Sequence, residues 1–503
     1  MGLFGRFRRQ PKATAFVGGS SRLGRQLLSR RSDGRNINAL QIAGGEKLRA
    51  QVRQTTRENP YAASMAEAFV AAAVGTGIKP SSLIADPATK KAVQEAWLRW
   101  TDECDADGLT DFYGLQALAA RACFEAGEVF IRLRPRRPED GLSVPLQIQL
   151  LEAEHLPLND NRKIGGNFVR AGIEFDPIGR RVAYYFLRNH PGEITTGLGL
   201  SSDETVRVPA SEVLHLFRPI RPGQIRGQPW ITPSMVRLSQ LDAYDEAELE
   251  RKKTAALFVG FIRPAKEGDA VLSVEGGQFG EAASLATGLP PDSGVAPMEP
   301  GGMNLLAPGD DISFAQPTEV GGSYEAFQYR NLTAVAAGAA VPYSSATGDL
   351  RQVSYSGLRE GKLESRRKTE PFQHHVLVFQ MGRPIWARWL EAAVLAGAVP
   401  ISGRQFVENR AGLTAAKWIP PRLEAADPLK DRLANALAED RGWVSRSDNM
   451  EAEGYDPEET DARIKADQER QKALGIVLGE RAPIPWDAVT AALSGDERPA
   501  PAA

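Results

Sequence analysis

The sequence predicts an α+β chain in which a mixed body of helices and antiparallel strands is interrupted by two narrow-seamed helices flanking a small module. Three observations predict this class. Helical periodicity dominates from about 46 to 126 and gives way to period-two strands between Val129 and Phe217. A Gly/Pro-rich lead from Arg221 to Pro229 stops at Thr232-Pro233, and a long charge-covered helix follows it. A second helix, Tyr324 to Ala340, stands beyond a stretch of Gly, Pro and small residues.

With 503 residues, a net charge of −2 and 42% hydrophobic residues, the chain is long enough for several packed domains, and its bulk charge selects no partner. The distribution of charge is more telling. Arg6, Arg8, Arg9, Lys12, Arg22, Arg25, Arg30, Arg31 and Arg35 crowd the start, with Asp33 the only acid among them. Met1-Gly2-Leu3-Phe4 leads into no apolar leader segment, so residues 1–40 are expected to be a disordered basic arm suited to anionic surfaces. No stretch approaches the roughly 18 consecutive apolar residues of a membrane span, and a soluble protein is expected. Cys104 and Cys123 are too few for a disulfide scaffold or a zinc cluster, which fits a reducing compartment, and the five histidines show no ligand spacing.

Taken in order, residues 46–74 read as helix across an Asn59-Pro60 break, with Leu48, Val52, Ala62, Met65, Phe69 and Val70 apolar and Gly75-Thr76-Gly77 as its C-terminal stop. Two core-facing amphipaths follow, near 87–101 with Val93, Trp97 and Trp100, and near 111–126 with Phe112, Leu115, Leu118 and Phe124. Gly127-Glu128 then opens a meander of strands: Val129–Arg134, Leu146–Leu151, Val169–Phe175, Val182–Leu187 and Val213–Phe217. Asp176-Pro177-Ile178-Gly179 and His190-Pro191-Gly192 supply turn chemistry between them.

Thr232 is the expected N-cap of the long helix, and Pro233 occupies a first-turn position where its missing N–H is harmless. Met235, Leu238, Leu241, Tyr244 and Leu249 form its only apolar seam. A helix over 232–257 is roughly 39 Å long, and so thin a seam cannot be buried in one core. It needs other helices beside it, unless it is simply a long surface helix of an ordinary enzyme. Phe258–Ile262 and Gly309–Pro317 read as strands around the loop-rich stretch 264–310. The helix from Tyr324 carries Phe327, Leu332, Val335 and Ala339 as its seam and stops at Val341-Pro342. A polar flexible loop should follow, then a long helix from about Leu358 to Trp389 kinked at Pro371, charged helix between Asp427-Pro428 and Ile476, and a disordered tail.

Catalytic constellations are scarce. Gly361-Lys362 fails as a phosphate loop because Leu363 follows it and Ser356 stands where the first glycine belongs. There is no G-x-S-x-G elbow, no H-E-x-x-H and no G-x-G-x-x-G after a strand. Glu152 and Glu154 beside His155 could form an acid/base cluster, but a strand end facing water explains them more simply. His374 and His375 are adjacent, so their rings should point to different faces rather than share a metal.

Several short stretches, in this order, resemble the portal proteins of lambda-type tailed bacteriophages. They are Arg57-Glu58-Asn59-Pro60-Tyr61, Gly75-Thr76-Gly77, Glu125-Ala126-Gly127-Glu128-Val129-Phe130 and Gly172-Ile173-Glu174-Phe175-Asp176. Further on come Val208-Pro209-Ala210 with Val213-Leu214-His215, Arg221-Pro222-Gly223-Gln224-Ile225-Arg226-Gly227, and Tyr355-Ser356-Gly357-Leu358-Arg359. Asp427-Pro428-Leu429-Lys430 and Gly454-Tyr455-Asp456 extend the likeness, which spans about Arg57 to Ile476. The chain departs from the pattern at Ala339-Ala340-Val341-Pro342, where a glycine commonly precedes Val-Pro, and Ser345-Ala346-Thr347 is unlike the leucine-containing loop of the family.

The resemblance implies a non-enzymatic homo-oligomeric ring, a dodecamer, at one capsid vertex of the virion, assembled in the host cytoplasm and needing no cofactor. It implies a wing over 41–230, a stem helix at 231–257, a clip at 258–320 and a second stem helix at 321–341. A tunnel loop at 342–355, a kinked helix and wing return at 356–426, a crown at 427–480 and a tail at 481–503 complete the portal fold. Double-stranded DNA would be met without sequence preference by Tyr343, Ser344, Ser345, Thr347, Asp349, Arg351 and Gln352 of the tunnel loop. Asp242, Asp245, Glu246, Lys252 and Lys253 would belong to the stem and its channel, and Arg6, Arg8, Arg9, Arg22 and Arg25 to the arm. The implied partners are the large terminase subunit, major capsid and scaffold proteins and a head-completion protein, with no membrane. A DNA-processing hydrolase or a capsid adaptor or scaffold protein is the alternative; the hydrolase needs clustered carboxylates, whereas Asp102-Glu103 and Asp245-Glu246 sit on amphipathic helices where solvated charge is expected.

Overall fold

In the computed structural model the described residues are 34–193, 204–257, 261–263, 311–313, 324–351, 355–421 and 428–476. The first helix, α1 (Ile37–Glu58), begins well before residue 46 because Asn36 caps it, accepting from the amide of Asn38. Residues 37–40 therefore belong to the folded body rather than to an arm; Arg6, Arg8, Arg9, Arg22 and Arg25 lie outside the described residues. Asn59 ends α1 and caps α2 (Pro60–Ala73), with Pro60 in its first turn. Gly75 and Gly77, both with positive φ, turn the chain out of it, as the glycine pair predicts.

Strand β1 (Lys79–Ser82) precedes α3 (Pro87–Thr101) and α4 (Phe112–Glu125), whose apolar faces enter the main core. Leu118 is the exception: it is exposed on α4. Trp97 lies at the centre, its ring within 5.0 Å of those of Trp100, Phe112, Trp386 and Trp389. The last two come from α9 (Arg383–Leu395), so the chain does return to its first helices to complete the core. β1 closes the same circuit by pairing antiparallel with β12 (Ala416–Ile419), Lys79 opposite Ile419.

The strands form two sheets where one meander is expected. β2 (Glu128–Pro135) lies between β3 (Leu146–Leu151) and β9 (Val213–Phe217). The second sheet runs β4 (Arg162–Ile164), β5 (Asn167–Arg170), β6 (Ile173–Phe175), β7 (Arg181–Leu187), β8 (Thr205–Pro209). The strand expected over Val169–Phe175 is in fact a hairpin. Arg170 pairs with Ile173 across Ala171 and Gly172, whose φ values of 50° and 79° give the twist of a two-residue hairpin turn. The even-numbered face of β2 meets the second sheet in a separate core of Phe130, Leu156, Ile173, Phe175, Tyr184, Phe186, Val208 and Val213.

A short 3-10 turn, Thr232–Ser234, leads into α5 (Met235–Leu257). Thr232 does not cap it: its hydroxyl donates to the Pro229 carbonyl at 2.6 Å. Strands β10 (Phe261–Arg263) and β11 (Asp311–Ser313) pair antiparallel, and α6 (Tyr324–Ala339) follows. The segment expected to be a flexible loop opens as a five-residue helix, α7 (Tyr343–Thr347), closed by Gly348 at φ 71°. Helix α8 (Tyr355–Phe372) contains Pro371, and the next ten residues, Gln373–Gly382, are π-helical before α9. A proline removes one N–H from the ladder, and the wider i→i+5 pattern accommodates the loss. His374 and His375 meet edge to face with centroids 5.1 Å apart, contrary to the expectation that their rings diverge. Helices α10 (Gly403–Glu408) and α11 (Arg410–Leu413) lead to β12, and three largely exposed helices, α12 (Pro428–Asp440), α13 (Arg446–Ala452) and α14 (Pro457–Ala473), end the described chain.

Candidate functional site

The paired helices α5 and α6 are antiparallel and close at one end. Ser234 donates to the Val335 carbonyl at 2.7 Å, and Gly338 lets the backbones approach so nearly that a Cβ there would stand 2.3 Å from the Ser234 hydroxyl. Trp230 anchors the same end, its indole donating to the Ala339 carbonyl at 2.9 Å. Leu238, Leu241, Leu332, Val335 and Ala339 are buried there. Farther out the seam fails to close, leaving Leu249 and Phe327 exposed.

The acids of α5 divide into two groups. Asp242 accepts from the Asn59 amide at 2.6 Å, and burial raises its carboxyl above the usual range, opposed by that hydrogen bond and reinforced by Asp245 and Glu246. Asp245 is taken by α6, accepting from the Tyr324 hydroxyl at 3.1 Å and from Gln328. Glu246 and Glu250 are exposed. Glu248 is held by Arg251, whose hydrogen bonds lower its pKa, while Lys252 lies 5.2 Å from the Tyr324 ring centre and Lys253 is 4.0 Å from Glu250.

After α6, Tyr343 packs its ring 4.8 Å from that of Tyr329, Ser344 accepts the Gly348 amide and Ser345 accepts from Ser64 through its carbonyl. Thr347 donates to the Tyr343 carbonyl at 2.8 Å. Arg351, expected as the one cation of this stretch, is engaged by Asp349 at 2.9 Å and Glu325 at 3.3 Å. Its hydrogen bonds bring the Asp349 carboxyl down to about 2. Gln352 lies outside the described residues.

A constellation that sequence reading missed sits where three of the quoted stretches converge. The fully buried Glu128 carboxylate accepts from Arg49 at 2.5 Å, Arg226 at 2.8 Å, the Gly227 amide at 2.6 Å and the His215 ring at 2.9 Å. Burial alone would raise its pKa; Arg226, Arg49 and His215 together hold it well below the usual carboxylate range. Burial brings the His215 imidazole down to about 4, against the pull of Glu128. Arg226 also donates to the carbonyls of Ala153, Leu156 and Ala171, so one side chain joins both sheets. Gly127 and Gly227 meet backbone to backbone beside it: a Cβ on Gly227 would lie 2.1 Å from the Gly127 carbonyl oxygen. Arg226 and Glu128 were legible as members of family-like stretches, but not as partners. The carboxylate is engaged by four donors and closed to solvent, with the buried Arg49 Nε left without a hydrogen-bond partner; a sealed ion-pair centre suits architecture rather than turnover.

Glu152 and Glu154 are gathered with His190 rather than His155, their ligand atoms within 4.8 Å of one another. Arg53 bridges both carboxylates at 3.0 and 2.9 Å, supplying the countercharge. They follow the end of β3 with Glu152 exposed to solvent, and Arg53 pairs with both.

Fold and site thus define a protein built from an α+β body, joined through a buried charge centre, and an antiparallel helix pair with an open seam. The chain belongs to the lambda family of phage portal proteins: the profile described as "Phage portal protein, lambda family" matches residues 23–373. Portal proteins are structural and non-enzymatic, which settles the choice against a hydrolase. The chain is 26% identical over 397 residues to a "Probable portal protein" of Halomonas phage phiHAP-1, covering 78% of this chain and 73% of that one. It is 22% identical over 492 residues to "Portal protein B" of Escherichia phage lambda, covering 92% and 90%. Among solved structures it resembles "Neck of native GTA particle computed with C12 symmetry" at a TM-score of 0.48 and 15% identity, over 82% of this chain and 94% of that one. No helix among the described residues is long and apolar enough to cross a membrane.

Proposed function

We propose that this portal protein forms a closed ring, a dodecamer, at one capsid vertex, enclosing the channel through which a separate terminase ATPase drives double-stranded DNA and through which the DNA later leaves. The reading rests on family membership together with one observation, the unfinished seam of α5 and α6. Leu249 and Phe327 are exposed in a single chain, and neighbouring copies of the same helix pair would cover them. In this reading α5 and α6 are the stem, 258–320 the clip, the body the wing and α12 to α14 the crown. Glu246 and Glu250, both exposed, are the acids best placed to repel phosphates and let DNA slide. Major capsid, scaffold and head-completion proteins are the remaining partners, and the ring is built in the host cytoplasm before entering the virion.

Native mass spectrometry and negative-stain imaging of the purified chain test the proposal. Closed rings with a central hole and no ATP turnover are expected. A monomer or dimer at micromolar concentration in near-physiological salt, or hydrolysis of ATP by the ring itself, would overturn it.

A further inference from the structure

Beyond the portal role, the cleft between the two sheets carries features of a ligand site. At the Phe130 end the sheets are packed, but farther along β2 the same face presents Arg132 and then Arg134. The sheets part there around a cavity of about 430 Å³, lined by both arginines, by Arg188 at the end of β7 and by His155, over an apolar floor that includes Phe186 and Val208. That size and lining, an apolar floor with a few convergent polar groups, are those of small-molecule sites.

The three guanidiniums are not equally committed. Arg134 donates to Gln149 at 2.6 Å and Arg188 is 3.2 Å from Glu204. Arg132 is half-buried and has no hydrogen-bond or ion-pair partner among the described residues. Burial first, then Arg132 and Arg136, lower the Arg134 pKa, a sign that positive charge is crowded. Elsewhere in the lining the His155 Nδ1 is buried with no hydrogen-bond partner. A half-buried arginine beside two others is an unbalanced arrangement unless an anion completes it, and planar guanidinium forks match phosphate oxygens.

We propose that this cleft binds a phosphate group, held by Arg132, Arg134 and Arg188, with room over Phe186 and Val208 for the apolar body of a phosphorylated small molecule. The phosphate has two possible sources, free inorganic phosphate or a nucleotide-sized phosphomonoester. The helix pair and the stretch 342–351 take no part, so the site stands or falls independently of the channel.

Isothermal titration of the full-length protein at low ionic strength, with inorganic phosphate and separately with adenosine 5′-monophosphate, tests it. Saturable binding at one site per chain is expected for at least one of them. Affinities within a factor of about three of each other indicate that the phosphate alone is read; tighter binding of the nucleotide by roughly tenfold indicates that the apolar floor is used as well. Arg132→Gln and, from a different strand, Arg188→Gln should each weaken binding roughly tenfold, since each removes a charge-assisted contact. Circular dichroism confirms that each variant is folded, and Arg188→Gln decides if Arg132→Gln is not. The proposal is overturned if neither ligand saturates below about 10 mM, if chloride at matched ionic strength gives the same response, or if folded variants bind as the wild type does.

Discussion

Replacing Glu128 by glutamine tests whether the buried charge centre holds the two sheets and α1 together. The carboxylate serves four donors: Arg49, Arg226, His215 and the Gly227 amide. A neutral amide of the same shape withdraws the negative charge and turns a donor N–H₂ toward groups that themselves donate, leaving two buried guanidiniums without a counterion. Breaking one partner out of a buried pair costs about 3–5 kcal/mol, a large share of the roughly 5–15 kcal/mol that stabilises a folded domain. Glu152→Gln is the internal control. It also loses an arginine contact, Arg53 at 3.0 Å, but at a side chain 53% exposed, so solvent screening limits the effect to about 1 kcal/mol or less. Urea unfolding followed by tryptophan fluorescence should show a clearly lowered midpoint for Glu128→Gln and an almost unchanged one for Glu152→Gln. Equal effects of the two substitutions, or a loss below about 1 kcal/mol for Glu128→Gln, would refute the reasoning.

The same centre predicts a pH dependence. His215 is held near 4 in the folded chain against an ordinary value of 6.5, so its contribution is present above the ordinary value and is lost as pH falls through the folded one. Urea midpoints should drop between about pH 6.5 and pH 4, and His215→Asn should flatten that slope; an unchanged slope would contradict it. Gly338→Ala should destabilise the helix pair by about 1–3 kcal/mol, since its Cβ would meet the Ser234 hydroxyl at 2.3 Å; a calorimetric transition at the wild-type temperature would show that the close approach is not required. Arg351→Glu should leave ring assembly intact while reducing DNA packaging or retention, because it replaces a surface cation beside Asp349 and Glu325 with a third carboxylate. Failure of the variant to form rings, or normal packaging by it, would remove this stretch from the DNA path.

Much of the architecture was legible because its signals are local. Pro60 after Asn59, the glycine pair at Gly75 and Gly77, and Pro233 in a first turn mark boundaries by φ preference and missing donors, which neighbouring residues alone decide. The narrow apolar seam of α5 predicts that the helix needs companions, and Leu249 toward its far end stays exposed in the single chain. The family-like stretches identified the protein class. They could not reveal that Glu128 and Arg226, 98 residues apart, form one ion pair.

Tertiary structure decided matters that have no local signature. Ala171-Gly172 reads as part of a strand until Arg226 takes the Ala171 carbonyl and the hairpin packs against Leu156. Asp242 and Asp245 look like solvated charge on a polar helix face, yet Asn59 and Tyr324 claim them. The pairing of Lys79 with Ile419 closes the body across most of the chain. Periodicity and turn chemistry fix which residues can share a face, and the sequence by itself carries that information. Which faces meet depends on burying apolar area and satisfying each buried charge at once, a condition over distant residues that only the folded chain resolves.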